Sequence, residues 1–449
     1  MPIQSDHTQL SLGVQAAALL GDAWSSDVVP RLPADLDAQA LSLKAFVRRR
    51  GLACASDLLR ALLAYVLDEL SFRALGAWAV LLGLADISDT AWRKRLARAS
   101  PWLAWLLSQL LTASLACAPD LLTRQRRVLL VDATRLRQIG GTGDDWRVHL
   151  AYDLLAGHMA QVHVSDRHTA ERLSHFELQP GDIVVADSAY GYRKHLAYAQ
   201  SKQADVLLRV WLPAFPLEHA DGSPFDALGW LSKQHGSLAE WQGYCRYQRR
   251  RYRVRLLASK LPSDKLAAAR KRKKRKAQKA QRRLSAQALH LAGWLLVVTT
   301  LKSSWNALEL LELYRARWQI ELLFKRLKQL LRLAKLRCQG REALEASVRA
   351  LLVAWALQEQ QVGEMRALLA SRARDPHAPA SSWLLAGLSV QTLREEVRGS
   401  WTFSRVVACL PQLMRFVLSS PRKRCQQEAQ VREWLSKRLR LDEPLLAAA

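Results

Sequence analysis

The sequence predicts an α/β protein in which a mixed-sheet core is flanked by all-helical segments at both ends. Three observations carry that prediction. Leu, Ala and Trp recur at helical spacing from about residue 34 to 120 and again from 343 to 449, with few glycines or β-branched runs. Between Arg127 and Trp211 the texture changes to short apolar runs separated by Gly and Pro. The later runs in that stretch alternate with helical segments, the pattern of a mixed sheet. At 449 residues the chain has room for two to four domains and a sizeable buried core.

Taken in order, residues 1–125 read as a helical N-terminal domain able to bind DNA. Within it, Ser71 to Leu82 forms one amphipathic segment, Gly83 breaks it, and Ser88 or Asp89 caps a second helix. That second helix carries Arg93, Lys94, Arg95 and Arg98, which suits a DNA groove; a solvated charged face is the competing reading. Residues 126–211 hold the first part of the core. Its strands are expected at Val128 to Val131, Val148 to Tyr152, Gln161 to Val164, Ile183 to Ala186 and Val206 to Val210, and its helices at Thr169 to Phe176 and Tyr192 to Ser201. Turns are expected at Gly140 to Gly143, Gly157 and Pro180-Gly181.

Residues 212–300 fit this alternation poorly and read as a β-rich insertion. It contains Trp241, Tyr244, Tyr247 and Tyr252 in an antiparallel piece, then the run Arg270 to Arg283, in which ten of fourteen residues are Lys or Arg. Residues 301–342 complete the core with a long helix from about Asn306 to Arg337, and residues 343–449 form a helical C-terminal domain, broken at Pro376, Pro379 and Pro421.

Charge narrows the class of partner. Lys and Arg number 67 against 40 Asp and Glu, a formal net charge of +27, which calls for a polyanion; nucleic acid supplies one through counterion release. Arg270, Lys271, Arg272, Lys273, Lys274, Arg275 and Lys276 form the densest part of the basic arm, expected to be solvated, partly helical and in contact with DNA backbone. The six cysteines are scattered without a CxxC pair, as expected of thiols in a reducing cytoplasm. The uncharged stretch Pro101 to Pro119 approaches membrane-spanning length but contains Ser108, Gln109, Thr112 and Ser114, so it reads as a buried soluble helix.

Chemistry gathers outside the carboxyl ends of strands in open sheets. Asp132 closes the run Val128-Leu129-Leu130-Val131, and Asp187 closes Ile183-Val184-Val185-Ala186. Buried carboxylates at such ends need a partner or a cation. Asp182 reads as a cap that opens its strand, and Asp144, Asp145, Asp153 and Asp166 as turn residues. In the helix beginning at Tyr314, positions 314, 317, 321 and 328 fall within an arc of about 60°, so Tyr314, Arg317, Glu321 and Lys328 share one stripe. Ile320, Leu323, Phe324, Leu327, Leu330 and Leu331 form a separate apolar face.

The spacing Tyr314, Arg317, Glu321, Lys328, read as Tyr-x2-Arg-x3-Glu-x6-Lys, resembles the signature helix of bacterial insertion-sequence transposases with an RNase H-like, DDE-type core. Val-Asp-Ala-Thr at Asp132 and Ala-Asp-Ser-Ala-Tyr-Gly-Tyr at Asp187 look like that family's two aspartate motifs. The resemblance spans about residues 127 to 340. It implies cut-and-paste transposition: hydrolysis at the transposon ends, then transfer of the 3′-hydroxyl to target DNA. It further implies that Asp132, Asp187 and Glu321 are the catalytic ligands of two Mg²⁺ or Mn²⁺ ions. Tyr314, Arg317 and Lys328 are expected to grip the DNA backbone, and Trp294 to stack on a flipped base. A core tryptophan is the competing reading for Trp294, with Trp305 the second candidate. The expected partners are double-stranded DNA, as terminal inverted repeats and target, and a second copy of the chain assembled on it, in the cytoplasm at the nucleoid. An RNase H-like nuclease without strand transfer and an inert DNA-binding protein are the alternatives. The sequence departs from the family at Ser188, where many relatives carry a basic residue, and in the length of the basic run.

Overall fold

Val, Leu, Leu and Val at 128–131 suit burial on both faces of a sheet, and they open its first strand. The computed structural model describes residues 22–47, 51–116, 126–137, 146–333, 336, 340–372, 380–418 and 423–441. Its strands are β1 (Val128–Leu136), β2 (Trp146–Asp153), β3 (His158–Asp166), β4 (Ile183–Ala186), β5 (Asp205–Arg209), β6 (Leu238–Tyr247), β7 (Arg250–Lys260) and β8 (Trp294–Thr299). They form one eight-stranded sheet in the order β3-β2-β1-β4-β5-β8-β7-β6. β1, β4 and β5 run parallel, while the hairpins at either side pair antiparallel.

The β-rich segment of residues 212–300 is therefore continuous with the core: β7 pairs with β8, and β8 with β5. Arg255 fastens it further. Its guanidinium donates to Glu240 Oε1 at 2.8 Å and to the carbonyls of Lys302 at 2.7 Å and Trp305 at 2.8 Å.

Two layers of helices cover the sheet. The period-2 alternation sends Val128 and Leu130 to one face and Leu129 and Val131 to the other. The first face lies under the N-terminal helices α1 (Leu36–Ser42), α2 (Ala55–Leu67), α3 (Phe72–Leu81), α4 (Asp89–Arg98) and α5 (Ser100–Ala116), joined there by later helices. The second face packs α6 (Arg193–Ser201), α7 (Ala227–Ser232) and, from the basic segment, α8 (Ser263–Lys279) and α9 (Ala286–Leu291) around β4, β5 and β8. Next along the chain are α10 (Ala307–Ala316) and α11 (Trp318–Leu330). The long α12 (Arg341–Arg372) packs against α5, α4 and α2, and α13 (Ser382–Arg398), α14 (Phe403–Ala408), α15 (Leu410–Val417) and α16 (Lys423–Leu441) complete the C-terminal part. No helix of the described residues is long and apolar enough to cross a membrane, and the apolar stretch from Pro101 lies in α5.

Several expectations are corrected. Thr169 to Phe176 holds only a short 3-10 turn at Leu173–His175, because its polar groups bond outward to Arg147 and His195 and not along a helix. β1 does not end at Asp132: it continues to Leu136 because β2 pairs with it as far as Trp146. The helix expected from Asn306 divides at Arg317, where Arg317 N bonds Tyr314 O and Ile320 N bonds Arg317 O, and its second part ends at Leu330, ahead of Arg332 at φ 54°. Its expected end at Arg337 lies outside the described residues, as do Gly140 to Gly143, Asp144, Asp145, Pro119, Pro376, Pro379 and Pro421.

Candidate active site

The parallel ladder between β1 and β4 ends at the pair Val131 and Ala186. Asp132 and Asp187 are the next residues on the two strands, so their backbones stand about 5 Å apart, one strand spacing. Asp132 follows the alternation onto the face covered by α11. Its Oδ1 accepts from Ala133 N at 2.8 Å. Asp187 folds back on its own turn, Oδ1 accepting from Ala189 N at 2.8 Å and its carbonyl from Tyr190 N at 3.1 Å. Gly191 is obligatory beside them, since a Cβ there would lie 2.3 Å from Arg209 O.

Glu321 arrives on α11. A capping box at Asn306 and Glu309 fixes the start of α10, and the apolar face of α11 seats the helix: Ile320, Leu323, Phe324, Leu327 and Leu331 are buried. Arg317 joins the two acids. It donates from Nη1 to Asp132 Oδ2 at 3.0 Å and from Nη2 to Glu321 Oε1 at 2.5 Å. Tyr314 packs beneath, 7% exposed, with the Arg317 guanidinium 6.0 Å from its ring centroid.

The electrostatics are those of a crowded acidic centre. Burial pushes the Asp132 carboxyl up to about 6 even with Arg317 beside it, and the charges of Asp187 and Glu171 add to the push. Sequence reasoning misses Glu171, whose only signal is that it is a carboxylate in a loop joining core strands. Among the described residues no three of His, Cys, Asp and Glu already stand in metal-ligating geometry, and Arg317 serves as counter-ion between Asp132 and Glu321. The donor set nonetheless fits a hard divalent cation. It is all oxygen, burial and neighbouring carboxylates raise the Asp132 carboxyl despite Arg317, and the Tyr190 hydroxyl, fully buried in the turn after Asp187, has no hydrogen-bond partner.

The remaining candidates distribute unevenly. Lys328 lies half-buried on the last turns of α11. Trp294 opens β8 at 6% exposure within the sheet core, so it presents no ring to solvent; Trp305 is buried as well. Trp318, at the start of α11 beside Arg317, is 40% exposed, and Tyr192 is exposed near the Asp187 turn.

Ser71 and Ser88 cap α3 and α4 through Ala74 N and Ala91 N, and the two helices pack on each other across the Gly83 turn. Arg93, Lys94 and Arg98 point outward from α4, while Arg95 folds over the Phe46 ring at 5.8 Å. The basic run is helical in α8 from Arg270 to Lys279. Arg270, Lys271, Arg272, Lys274, Arg275 and Lys276 are exposed, whereas Lys273 turns inward over the Trp211 ring at 3.9 Å. Asp182, Asp153 and Asp166 have local tasks: Asp182 pairs with Arg127 at 2.6 Å, Asp153 accepts from Leu155 N and Ala156 N, and Asp166 from His168 N and Thr169 N.

Comparison with known proteins agrees with this geometry. Residues 123–357 match the family described as Transposase DDE domain. The putative transposase InsL for insertion sequence element IS186A of Escherichia coli strain K12 is 33% identical over 346 residues, covering 74% of this chain and 92% of that protein. The transposase for insertion sequence element IS421 of Escherichia coli is likewise 33% identical, over 347 residues with the same coverage. A mixed sheet that sets two aspartates side by side, a family match across more than half the chain and relatives covered almost end to end leave one assignment: the chain belongs to the DDE transposases of bacterial insertion sequences, enzymes that act on DNA, and its core is RNase H-like.

Proposed function

We propose that this transposase works by cut and paste: hydrolysis frees the 3′-hydroxyl at each transposon end, and that hydroxyl then attacks a phosphodiester of target DNA. Transposases of this family generally use divalent metal ions. Asp132, Asp187 and Glu321 would hold Mg²⁺ or Mn²⁺, two ions in all. When bound, these ions supply activation of the attacking oxygen and neutralisation of charge on the leaving one. The observation that carries the reading is the Arg317 bridge, which gathers Asp132 from β1 and Glu321 from α11 beside Asp187.

The chain's own groups do the positioning. Arg317 keeps the carboxylates together and would offer the other N–H donors of its fork to a phosphate of the DNA. Tyr314 supports Arg317 from below and so acts on DNA through it. Lys328 opposes a phosphate further along the same stripe. Trp318 and Tyr192, exposed at the site, are better placed than the buried Trp294 to stack on an extruded base. The exposed residues of α4 and α8 hold the duplex backbone, with α4 in a groove. Two protomers assemble on paired ends, the helical C-terminal part forming their interface.

Asp132→Asn tests the carboxylate role. With end DNA, a target plasmid and Mg²⁺, the variant binds ends within about 3-fold of wild type and yields no cleaved or joined product, since catalysis of this kind depends on charge in the site. A variant that cleaves would overturn the assignment. Wild-type protein that cleaves ends without ever joining them would instead be a nuclease.

A further inference from the structure

The hairpin of β6 and β7 outruns the sheet that it belongs to. β7 pairs with β8 only from Arg255 onward, so Arg250 to Val254 have β6 alone as a neighbouring strand. On the outer edge of β6, Glu218 and Tyr244 exchange backbone bonds at 2.8 and 2.9 Å, which closes that edge at Tyr244. The segment from Arg246 to Arg253 extends past this point as a two-stranded ribbon. It contains no Asp or Glu, and Arg246, Arg249, Arg250, Arg251 and Arg253 are all exposed on it.

Charge on an edge strand can serve merely to discourage pairing with another sheet, a task that needs no fixed geometry. Here the arginines are held in place. Arg251 donates from Nη2 to His219 O at 2.8 Å and Ala220 O at 3.1 Å. Arg246 stands directly opposite Arg251 in the ladder, a like-charge pairing that destabilises a sheet, and the two share the Glu218 carboxylate. Arg249, Arg250 and Arg253 have no ion pair among the described residues; Arg253 reaches only the Gln242 amide oxygen, at 3.5 Å. The ribbon therefore carries a surplus of positive charge that the fold does not neutralise.

Its position is fixed as well. Arg193, the first residue of α6, donates from Nη1 to Arg246 O at 2.6 Å. The turn that starts at Asp187 leads into that helix. Even fully extended, the chain from Asp187 to Arg193 spans at most about 22 Å, less than one turn of duplex DNA at about 34 Å.

We infer that the ribbon is a DNA-binding arm distinct from α8, lying along the duplex of the transposon end and opposing its phosphates with Arg249, Arg250 and Arg253. A two-stranded ribbon matches the width of the major groove, and guanidinium forks match pairs of phosphate oxygens. The duplex is the one being cut, because the ribbon is tied to the helix that follows the Asp187 turn; this choice rests on the reading of Asp187 as part of the active site.

The test replaces Arg249, Arg250 and Arg253 together in the full chain, by Gln in one variant and by Lys in another, with thermal melting to confirm folding. On linear end DNA the Gln variant binds more weakly, and its slope of log K against log salt flattens by up to about 2.7, at 0.9 for each phosphate released; the Lys variant keeps the wild-type slope. Arg250→Gln alone flattens it by about 0.9 and decides the matter if the triple variant does not fold. A benzophenone cross-linker in place of Gln248, at the tip, should attach to end DNA within about one helical turn of the cut. A wild-type slope in the folded Gln variant overturns the arm, and attachment to target plasmid but not to end DNA overturns the choice of duplex. A flattened slope with attachment to end DNA far from the cut upholds the arm and counts against the reading of Asp187.

Discussion

A guanidinium offers five N–H donors in a rigid fork, and Arg317 spends two of them on carboxylates from different elements. Arg317, expected from the sequence to grip DNA backbone, also clamps Asp132 to Glu321 in the folded chain. Glu396 shows the opposite treatment of a carboxylate. It is fully buried on α13, accepts from Gln361 Nε2 at 3.0 and 2.8 Å, and has Asp27 and Arg31 nearby. Burial pushes its carboxyl up to about 7, against the pull of the Gln361 hydrogen bonds. A carboxyl raised in the fold contributes stability that is fully present below its unfolded value of 4.5 and is lost as pH rises through about 7. The loss amounts to roughly 3–4 kcal/mol at 1.4 kcal/mol per pKa unit. Thermal melts should therefore show a midpoint that falls between pH 5 and pH 8, and Glu396→Gln should remove most of that fall; an unchanged pH profile in the variant counts against the assignment.

At the scale of elements, α8 is legible in the sequence as a basic segment but not as a docked one. Seven consecutive Lys and Arg residues reveal charge; they do not reveal that Lys273 folds onto Trp211 and so leaves six basic residues on the outer face. Replacing those six with Gln keeps the helix and its seat. DNA binding should weaken for every sequence tested, and the slope of log K against log salt should flatten by about 0.9 for each phosphate that the variant no longer neutralises. A slope equal to that of wild type excludes α8 from the interface. The β6–β7 hairpin is legible as β-rich, yet Arg255 decides where it sits, since it ties the hairpin to the carbonyls that precede α10. Arg255→Ala strands Glu240 and those carbonyls, and should destabilise the protein by about 3 kcal/mol in chemical denaturation. End cleavage should fall with it, because α10 leads directly into Arg317 and Glu321. Full activity in a destabilised variant would separate the hairpin from the site.

At the scale of the whole molecule, the two helical ends of the chain close on each other. Arg60 of α2 donates to both oxygens of Asp22 at 2.7 and 2.9 Å and, through Nε, to Val397 O of α13 at 2.8 Å. Arg398 of α13 reaches Asp68 at 2.8 Å. Arg60→Ala should cost about 2 kcal/mol, the value of charge-assisted bonds at a buried guanidinium, and should loosen the N-terminal helices. Hydrogen exchange that rises in α2 and α13 together supports this coupling, whereas a rise confined to α2 argues against it.

By itself the sequence determined the class of the fold, the strands at 128–131 and 183–186, the buried face of α11 and the two aspartates that follow those strands. All are local: they depend on apolar periodicity and on which residue follows a run. Only the tertiary structure decided that β1 continues past Asp132, that Arg317 joins two acids 185 and 4 residues away in sequence separation from it, and that Trp294 is sealed in the sheet. Each of those depends on a partner distant in the chain, and no pattern within one segment encodes which distant partner the folded chain will bring to it.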